Sequence, residues 1–216
     1  MTVWDSIDKI IYINLLECVD RNINILNELS IICPSKIIRF NAIKEDKGAI
    51  GCTKSHIKCL EMAIENNWNT VLIIEDDAMW YNYDKNILVL ENLIIQSFDV
   101  ILLGGMNAKF DKKTYKLFSA LTTTAYIVKS HYYNVLLQNF NTGLKLLETD
   151  YDITKYALDQ YWRILQKKDN WYIVNPALMI QRPSYSNILK INVDYKQYFN
   201  TNERSNLLIK LIAGKR

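Results

Sequence analysis

The feature that most constrains this chain is a short apolar run, Val71–Ile74, which ends in the consecutive carboxylates Glu75, Asp76 and Asp77. An unbroken apolar run of this length is typical of a strand buried on both faces of a parallel sheet. In such sheets, ligands bind beyond the carboxyl ends of the strands. The three acids repel one another, and the sequence places no lysine or arginine beside them. They therefore predict a bound divalent cation that also contacts a phosphate-bearing ligand.

Within an extended segment, side chains two residues apart lie on the same face. Glu75 and Asp77 are therefore predicted to point the same way and to ligate the cation, with Asp76 opposite them. Carboxylate oxygens are hard ligands and favour Mg²⁺ or Mn²⁺. A structural role for such an acidic strand end is the alternative.

Strand-like and helix-like segments alternate along the chain, which predicts an α/β fold with a mainly parallel, Rossmann-like sheet and helices on both faces. The predicted strands are Lys9–Leu15, Lys36–Phe40, Val71–Glu75, Val100–Leu103, Thr122–Val128 and Trp171–Val174. The predicted helices are Asp20–Leu29, Ala49–Asn66, Lys85–Ile95, a segment near Tyr132–Phe140, and Asp152–Gln166.

Two polar stretches are predicted to be loops: Asn107–Phe118, as a mobile lid, and the Ser-, Asn- and Tyr-rich stretch after Pro183. No break in composition divides the 216 residues, so we expect a single domain over 1–216. Its tail, 203–216, contains a predicted amphipathic helix at Glu203–Ile212.

Composition narrows the classes of protein. A net charge of +3 gives no reason to expect a nucleic-acid partner. The four cysteines form no CxxC pair and only two histidines are present, so a structural zinc site is not expected. Reduced, mostly buried thiols are the simpler interpretation. The first eleven residues carry two aspartates and do not resemble a signal peptide, and no apolar stretch is long enough to cross a membrane. We expect a cytoplasmic protein; the oligomeric state stays open.

Other polar residues fall near predicted strand ends or helix starts. Ser55 and His56 follow Gly51 in a predicted helix whose N-terminus could favour an anion, and they are expected near the ligand. Asn14 and Arg21 could grip a nucleotide or its phosphates. A structural role is at least as good an interpretation for each of these residues. Asp159 lies among aromatic residues and is either an ion-pair partner of Arg163 or Lys155, or a base with a raised pKa.

In this order, the segments resemble glycosyltransferase family 25, whose members include bacterial lipooligosaccharide galactosyltransferases and procollagen galactosyltransferases. The GxIGCxxSH motif followed by a strand that ends in EDD is the most specific part of the resemblance. The matching pieces are Ile11–Leu15 with Asp20 and Arg21, Arg39–Ala42, Gly48–His56, Val71–Asp77, Phe98–Gly104, Thr123–Val128, Leu158–Trp162 and Pro176–Gln181.

The resemblance implies a GT-A-like fold, Mn²⁺ or Mg²⁺, a UDP-hexose donor, and inversion at the anomeric carbon. The acidic trio would be the DxD-type element that holds the metal and the donor diphosphate, with Asp76 on the donor side. The expected enzyme moves galactose or glucose to a glycan hydroxyl, as in lipopolysaccharide biosynthesis. Asp159 is the expected base. The chain departs from the family pattern at Ala49, where many members have Glu, and at Asn187, where Asp is expected.

Two other functions share these features. A nucleotidyltransferase needs the same acidic strand end, but it normally has a Gly-rich basic loop after its first strand, and Ile13–Asp20 has neither glycine nor a basic residue. A carbohydrate-binding or scaffolding domain that has lost catalysis would keep the fold, and Ala49 and Asn187 leave that alternative open.

Overall fold

The computed structural model describes residues 2–186 and 191–199. The predictions for Asn187 and for the tail 203–216 with its helix Glu203–Ile212 lie outside these residues. The single-domain assignment stays a prediction.

The described strands and helices follow the predicted alternation. The strands are β1 (Lys9–Asn14), β2 (Ile37–Asn41), β3 (Thr70–Glu75), β4 (Ala78–Trp80), β5 (Val100–Leu102), β6 (Met106–Phe110), β7 (Leu117–Leu121), β8 (Ala125–Lys129), β9 (Trp171–Ile173), β10 (Met179–Gln181), β11 (Ser184–Ser186) and β12 (Ile191–Val193). The helices are α1 (Val19–Leu29), α2 (Gly48–Glu65), α3 (Tyr83–Ile94), α4 (Tyr133–Thr149), α5 (Ile153–Tyr156), α6 (Leu158–Tyr161) and α7 (Arg163–Lys168).

The central sheet has six strands in the order β2-β1-β3-β8-β5-β9. β8 is antiparallel to both of its neighbours, and the other adjacent strands pair in parallel. The sheet is therefore mixed and mainly parallel, which confirms the predicted fold class.

Helices cover both faces of the sheet because successive side chains of its apolar strands alternate between two cores. Ile11 and Ile73 pack into one core with Leu60 of α2 and Leu136 of α4. Ile10, Leu72 and Ile74 pack into the other core with Ile25 of α1 and Leu90 of α3. The unbroken run Val71–Ile74 is apolar on both sides because both sides are buried.

The segment Asn107–Phe118 is not the predicted irregular loop, and its role as a lid stays a prediction. Its ends belong to β6 and β7, which pair as an antiparallel hairpin with irregular register. Ala108 and Leu117 are buried in the core against β9 and α7. The alternation of buried and exposed residues is present in β6, where Ala108 is buried and Lys109 is exposed. It was missed because alanine is a weak apolar signal in a polar segment.

The segment Asp152–Gln166 is not one helix but three short ones, α5, α6 and α7. Ala157 has an extended backbone, with ψ of 148°, which separates α5 from α6. The stretch after Pro183 is not entirely loop, since β11 and β12 pair there as an antiparallel hairpin. The pair β4 and β10 was not predicted, because strands of three residues carry too little periodic signal. Within the described residues, no helix is long and apolar enough to cross a membrane.

Candidate active site

A cavity of about 350 Å³ opens where β1 and β3 end. Glu75, Asp76 and Asp77 line it, together with Arg21 and Lys44. β3 pairs with β1 so that Glu75 lies beside Ile13, which brings Asn14 to the same edge of the sheet. The cavity therefore lies at the carboxyl ends of parallel strands, where the sequence predicted a ligand.

The chain between β2 and α2 closes one side of this cavity. Gly51, in the first turns of α2, lies so close to this chain that a Cβ atom would be only 2.4 Å from the carbonyl oxygen of Ile43. The backbone N–H of Ile43 donates to Ser55 Oγ at 2.9 Å, and that hydroxyl donates to the carbonyl of Gly51 at 2.7 Å. Ser55 is fully buried and also lines the cavity. Its contacts hold the cavity wall, and a contact with a ligand stays a prediction.

Arg21 is a cation that the local sequence did not reveal. Its guanidinium donates to Asp76 Oδ1 at 2.7 Å and to Asp77 Oδ2 at 3.1 Å. Asn14 Nδ2 donates to the other oxygen of Asp76 at 2.7 Å. The acids have no basic neighbour in the sequence, but α1 packs against the sheet and brings Arg21 to Asp76 from 55 residues upstream.

The predicted pairing of Glu75 and Asp77 stays a prediction, although the strand alternation on which it was based does not hold. β3 ends at Glu75, and Asp76 and Asp77 lie in the turn that leads to β4. The alternation of an extended strand does not apply beyond Glu75. Arg21 consequently contacts Asp76 and Asp77 together, while Glu75 has different partners.

Asp77 is the least satisfied of the three acids. Its Oδ1 atom is buried and has no hydrogen-bond partner among the described residues. Burial, and next the charge of Glu75, raise the pKa of Asp77 to about 7, although Arg21 acts in the opposite direction. Gln181, which also lines the cavity, has a buried amide oxygen that likewise lacks a partner among the described residues. The cavity wall thus contains two oxygen atoms that could each accept a contact from a ligand.

Glu75 is held by groups from α2 and from the segment that precedes β8. Thr123 Oγ1 donates to Glu75 Oε1 at 2.6 Å, and His56 Nε2 and Cys52 Sγ lie 3.4 and 3.8 Å from the same oxygen. Burial acts to raise the pKa of Glu75, but the hydrogen bonds with His56 and then Thr123 help to lower it. The other ring nitrogen of His56 lies 2.9 Å from the hydroxyl of Tyr126. His56 is therefore fixed beside the acidic strand end, as expected, and its contact with a ligand stays a prediction.

Asp159 forms no ion pair among the described residues. Arg163 contacts Ser119 and Gln160, and Lys155 pairs with Asp152. Asp159 Oδ2 accepts a hydrogen bond from the backbone N–H of Thr122 at 3.0 Å. Burial and the nearby charge of Glu75 outweigh that hydrogen bond and raise the pKa of Asp159. The ion-pair alternative was wrong, and the role as base stays a prediction.

Sequence reasoning gave no role to Cys52, Thr123 or Tyr126, which surround Glu75 and His56. Cys52 was visible as the cysteine of the GxIGCxxSH segment, one helical turn before His56. Thr123 and Tyr126 had no local signal, because only the antiparallel pairing of β8 with β3 brings them to the acidic strand end.

The sequence profile of glycosyltransferase family 25, described as lipopolysaccharide biosynthesis proteins, matches residues 11–160. The match covers more than half of the chain and includes α2, β3 and the acidic trio. The chain belongs to glycosyltransferase family 25. This confirms the resemblance that rested on the GxIGCxxSH and EDD motifs. No curated protein sequence matches the chain significantly.

Three solved structures are similar to this family 25 chain at low identity. A glycosyltransferase involved in glycosylation of the major capsid of PBCV-1 is 9% identical, with 80% of this chain and 92% of that chain covered and a TM-score of 0.49. The glycosyltransferase GlyE of Streptococcus pneumoniae TIGR4 is 7% identical, with coverages of 92% and 66% and a TM-score of 0.48. A 4-diphosphocytidyl-2C-methyl-D-erythritol synthase of Anaerococcus prevotii is 10% identical, with coverages of 100% and 87% and a TM-score of 0.41.

Proposed function

We propose that this family 25 glycosyltransferase is an inverting, divalent-cation-dependent enzyme that moves a hexose from a UDP-sugar to a hydroxyl of a glycan. The observation that carries the proposal is the buried, unpartnered Oδ1 of Asp77 in the wall of the cavity at the strand ends. A buried carboxylate oxygen without a partner is costly unless a ligand contacts it.

The residues fit a hard cation. Asp77 offers a carboxylate oxygen without a hydrogen-bond partner among the described residues. Glu75 lines the same cavity, close enough for its charge to raise the pKa of Asp77. We therefore assign Asp77 and Glu75 as the groups that would hold Mn²⁺ or Mg²⁺. When bound, the cation would supply positive charge to balance the departing diphosphate.

Arg21 and Asn14 would hold the nucleotide side of the donor. A guanidinium matches phosphate and carboxylate oxygens equally well, so Arg21 could exchange one of its acids for a donor phosphate. Asn14 and Asp76 are hydrogen-bonded to each other at the end of β1 and could bind polar groups of the nucleoside. His56, fixed between Tyr126 and Glu75, would keep Glu75 in position.

Inversion requires a single displacement, in which a base removes the proton of the acceptor hydroxyl as the bond to UDP breaks. Asp159 is our proposed base, because its pKa is raised and no cation neutralises it by an ion pair among the described residues. Asp159 lies on α6 and is not among the residues that line the cavity proposed to bind the donor. This position suits a residue that faces the acceptor.

One observation favours a second function. The ion pairs of Arg21 with Asp76 and Asp77 satisfy part of the acidic trio without any cation. A domain that binds UDP or a glycan and has lost catalysis could keep these ion pairs at all times, because it needs no cation.

The experiment is a screen of UDP-galactose, UDP-glucose and UDP with and without Mn²⁺, read by thermal unfolding and by release of UDP. We expect Mn²⁺ and a UDP-sugar together to raise the unfolding temperature more than either alone, since ligands of the native state stabilise it. We also expect UDP release that EDTA abolishes. Stabilisation by UDP without turnover on any glycan acceptor would support the binding domain, and turnover in EDTA would contradict the cation. A cytoplasmic location belongs to this proposal as well.

A further inference from the structure

We propose that Cys52, His56 and Glu75 form a three-ligand site for a zinc-class transition-metal ion, distinct in ligand chemistry from the hard-cation site assigned to Asp77. The inference does not depend on the transferase activity, because it rests on the positions of these three side chains. The absence of a CxxC pair argued only against a structural zinc site, whereas this site has three ligands and is open to the cavity.

The geometry of the three ligand atoms suits one small ion. The Cys52 sulfur, a His56 ring nitrogen and a Glu75 oxygen all lie within 4.8 Å of one another. Glu75 Oε1 is 3.4 Å from His56 Nε2 and 3.8 Å from Cys52 Sγ. Tetrahedral coordination at usual zinc bond lengths puts ligand atoms about 3.3–3.6 Å apart. Small side-chain adjustments would therefore bring the three atoms onto one ion.

The fold produces this convergence from two rigid elements. Cys52 and His56 are four residues apart in α2, so both side chains lie on one face of the helix. Glu75 is the last residue of β3, which α2 covers. Sites whose ligands are on helices and strands are held more precisely than sites on loops.

The residues around the cluster resemble the outer shell of a metal site. Metal-binding histidines usually hydrogen-bond through their second ring nitrogen, and His56 Nδ1 lies 2.9 Å from Tyr126 Oη. Ligating carboxylates are also held by hydrogen bonds, and Thr123 donates to Glu75 at 2.6 Å. Tyr126 is itself fixed by an edge-to-face contact with Trp162.

The ligand types select the ion. Thiolate and imidazole favour Zn²⁺, Co²⁺ or Fe²⁺ over Mg²⁺ and Mn²⁺. All three residues line the cavity, so an ion can enter, and a fourth position is available to water or a ligand. Glu75 belongs to both proposed sites, so an ion held by Cys52 would take Glu75 away from a cation at Asp77.

The test is a titration of the whole protein, stripped with EDTA, with Co²⁺ under reducing conditions. A thiolate bound to Co²⁺ gives a sulfur-to-cobalt charge-transfer band, which a site made only of carboxylates cannot give. We expect this band to saturate at one Co²⁺ per chain and to disappear when Zn²⁺ displaces it. A wild-type protein without the band overturns the proposal, whatever the variants do.

The variants identify the ligands. We expect Cys52→Ser and His56→Gln each to weaken binding by at least about 100-fold, since outer-shell groups alone contribute 10–100-fold. Cys33→Ser is the matched control, because Cys33 is free and exposed, and it should keep the band. Asp77→Asn should also keep it. Persistence of the band in folded Cys52→Ser, or its loss in Asp77→Asn, would overturn the assignment. The Co²⁺ band does not depend on sugar transfer. A protein that fails to transfer sugar with Mn²⁺ can still show the band, so each of the two proposals can fail without the other.

Discussion

Two sides of the acidic strand end are neutralised by different chemistry. On one side, the uncharged donor Thr123 and the ring of His56 hold Glu75. On the other side, the guanidinium of Arg21 holds Asp76 and Asp77. The pKa of Glu75 is lowered, whereas burial raises that of Asp77 to about 7.

The difference shows that three neighbouring acids need not act as one ligand set. The strand ends at Glu75 and the backbone then turns. Glu75 therefore contacts His56 of α2, whereas Asp76 and Asp77 contact Arg21 of α1. Contacts with His56 and Thr123 stabilise the charge of the first acid, and the last keeps one oxygen without a partner among the described residues. We therefore expect Asp77 to respond most strongly to cations and protons.

The largest effect that this comparison predicts is the loss of sugar transfer in Asp77→Asn. This substitution removes the negative charge of a cation ligand but keeps the shape of the side chain. A charge pair at 4 Å contributes about 4 kcal/mol at an effective dielectric constant of 20. Each 1.36 kcal/mol changes a rate about tenfold. We expect sugar transfer to fall about 1000-fold, measured as UDP release with acceptor and Mn²⁺. Asp84→Asn, at an exposed position in α3, is the control and should keep its activity. An Asp77→Asn enzyme within tenfold of wild type would remove Asp77 from the mechanism.

A smaller loss is expected for Asp159→Asn, which keeps an oxygen for the Thr122 N–H but cannot act as a base. Positioned bases contribute about 10²- to 10⁴-fold. We expect turnover to fall at least about 100-fold while donor affinity, measured by calorimetry, stays within a factor of two or so of wild type. Weakened donor affinity with unchanged turnover would instead make Asp159 a binding residue.

Arg21→Gln tests the other side of the comparison through stability. Removing one partner of a buried ion pair costs about 3–5 kcal/mol, and we expect about 2–3 kcal/mol here because the Arg21 side chain is 23% exposed. With the arginine gone, Mn²⁺ should raise the unfolding temperature more than it does in wild type. Arg182→Gln, which breaks the ion pair with Glu28, is the matched control. It should lose stability in urea without gaining sensitivity to Mn²⁺. Equal responses of the two variants would mean that Arg21 and a cation do not compete.

The comparison also predicts a pH dependence that comes from Asp77, gradual because it is spread over about three pH units. Its pKa is about 7 in the folded protein and near 3.8 when unfolded, so between these values the native state binds the extra proton. Stability should therefore decrease as pH rises from about 4 to about 7 and then level off. Mn²⁺ must displace that proton, so its affinity should rise by up to about tenfold per pH unit below 7. Asp77→Asn should flatten both curves, as measured by urea unfolding and Mn²⁺ titration. An unchanged slope in that variant would assign the titration to another group.

Much of the fold was predictable because its strands are buried on both faces. The run Val71–Ile74 indicated a central strand, and α2 and β3 carried the motifs that identified the family. The hairpin of β6 and β7 was missed because Ala108 and Leu117 are buried within an otherwise polar segment. The three helices between 153 and 168 were merged because apolar spacing continues across the extended backbone at Ala157.

The sequence by itself determined the α/β alternation, the acidic strand end and the membership of glycosyltransferase family 25. These follow from local patterns of apolar residues and from short motifs. Only the tertiary structure decided which partner each acid has. Arg21, Thr123 and Tyr126 are far along the chain from the acids that they contact or surround. Side-chain neutralisation depends on distances of a few ångströms, and only the packing of α1, α2 and β8 against β3 establishes those distances.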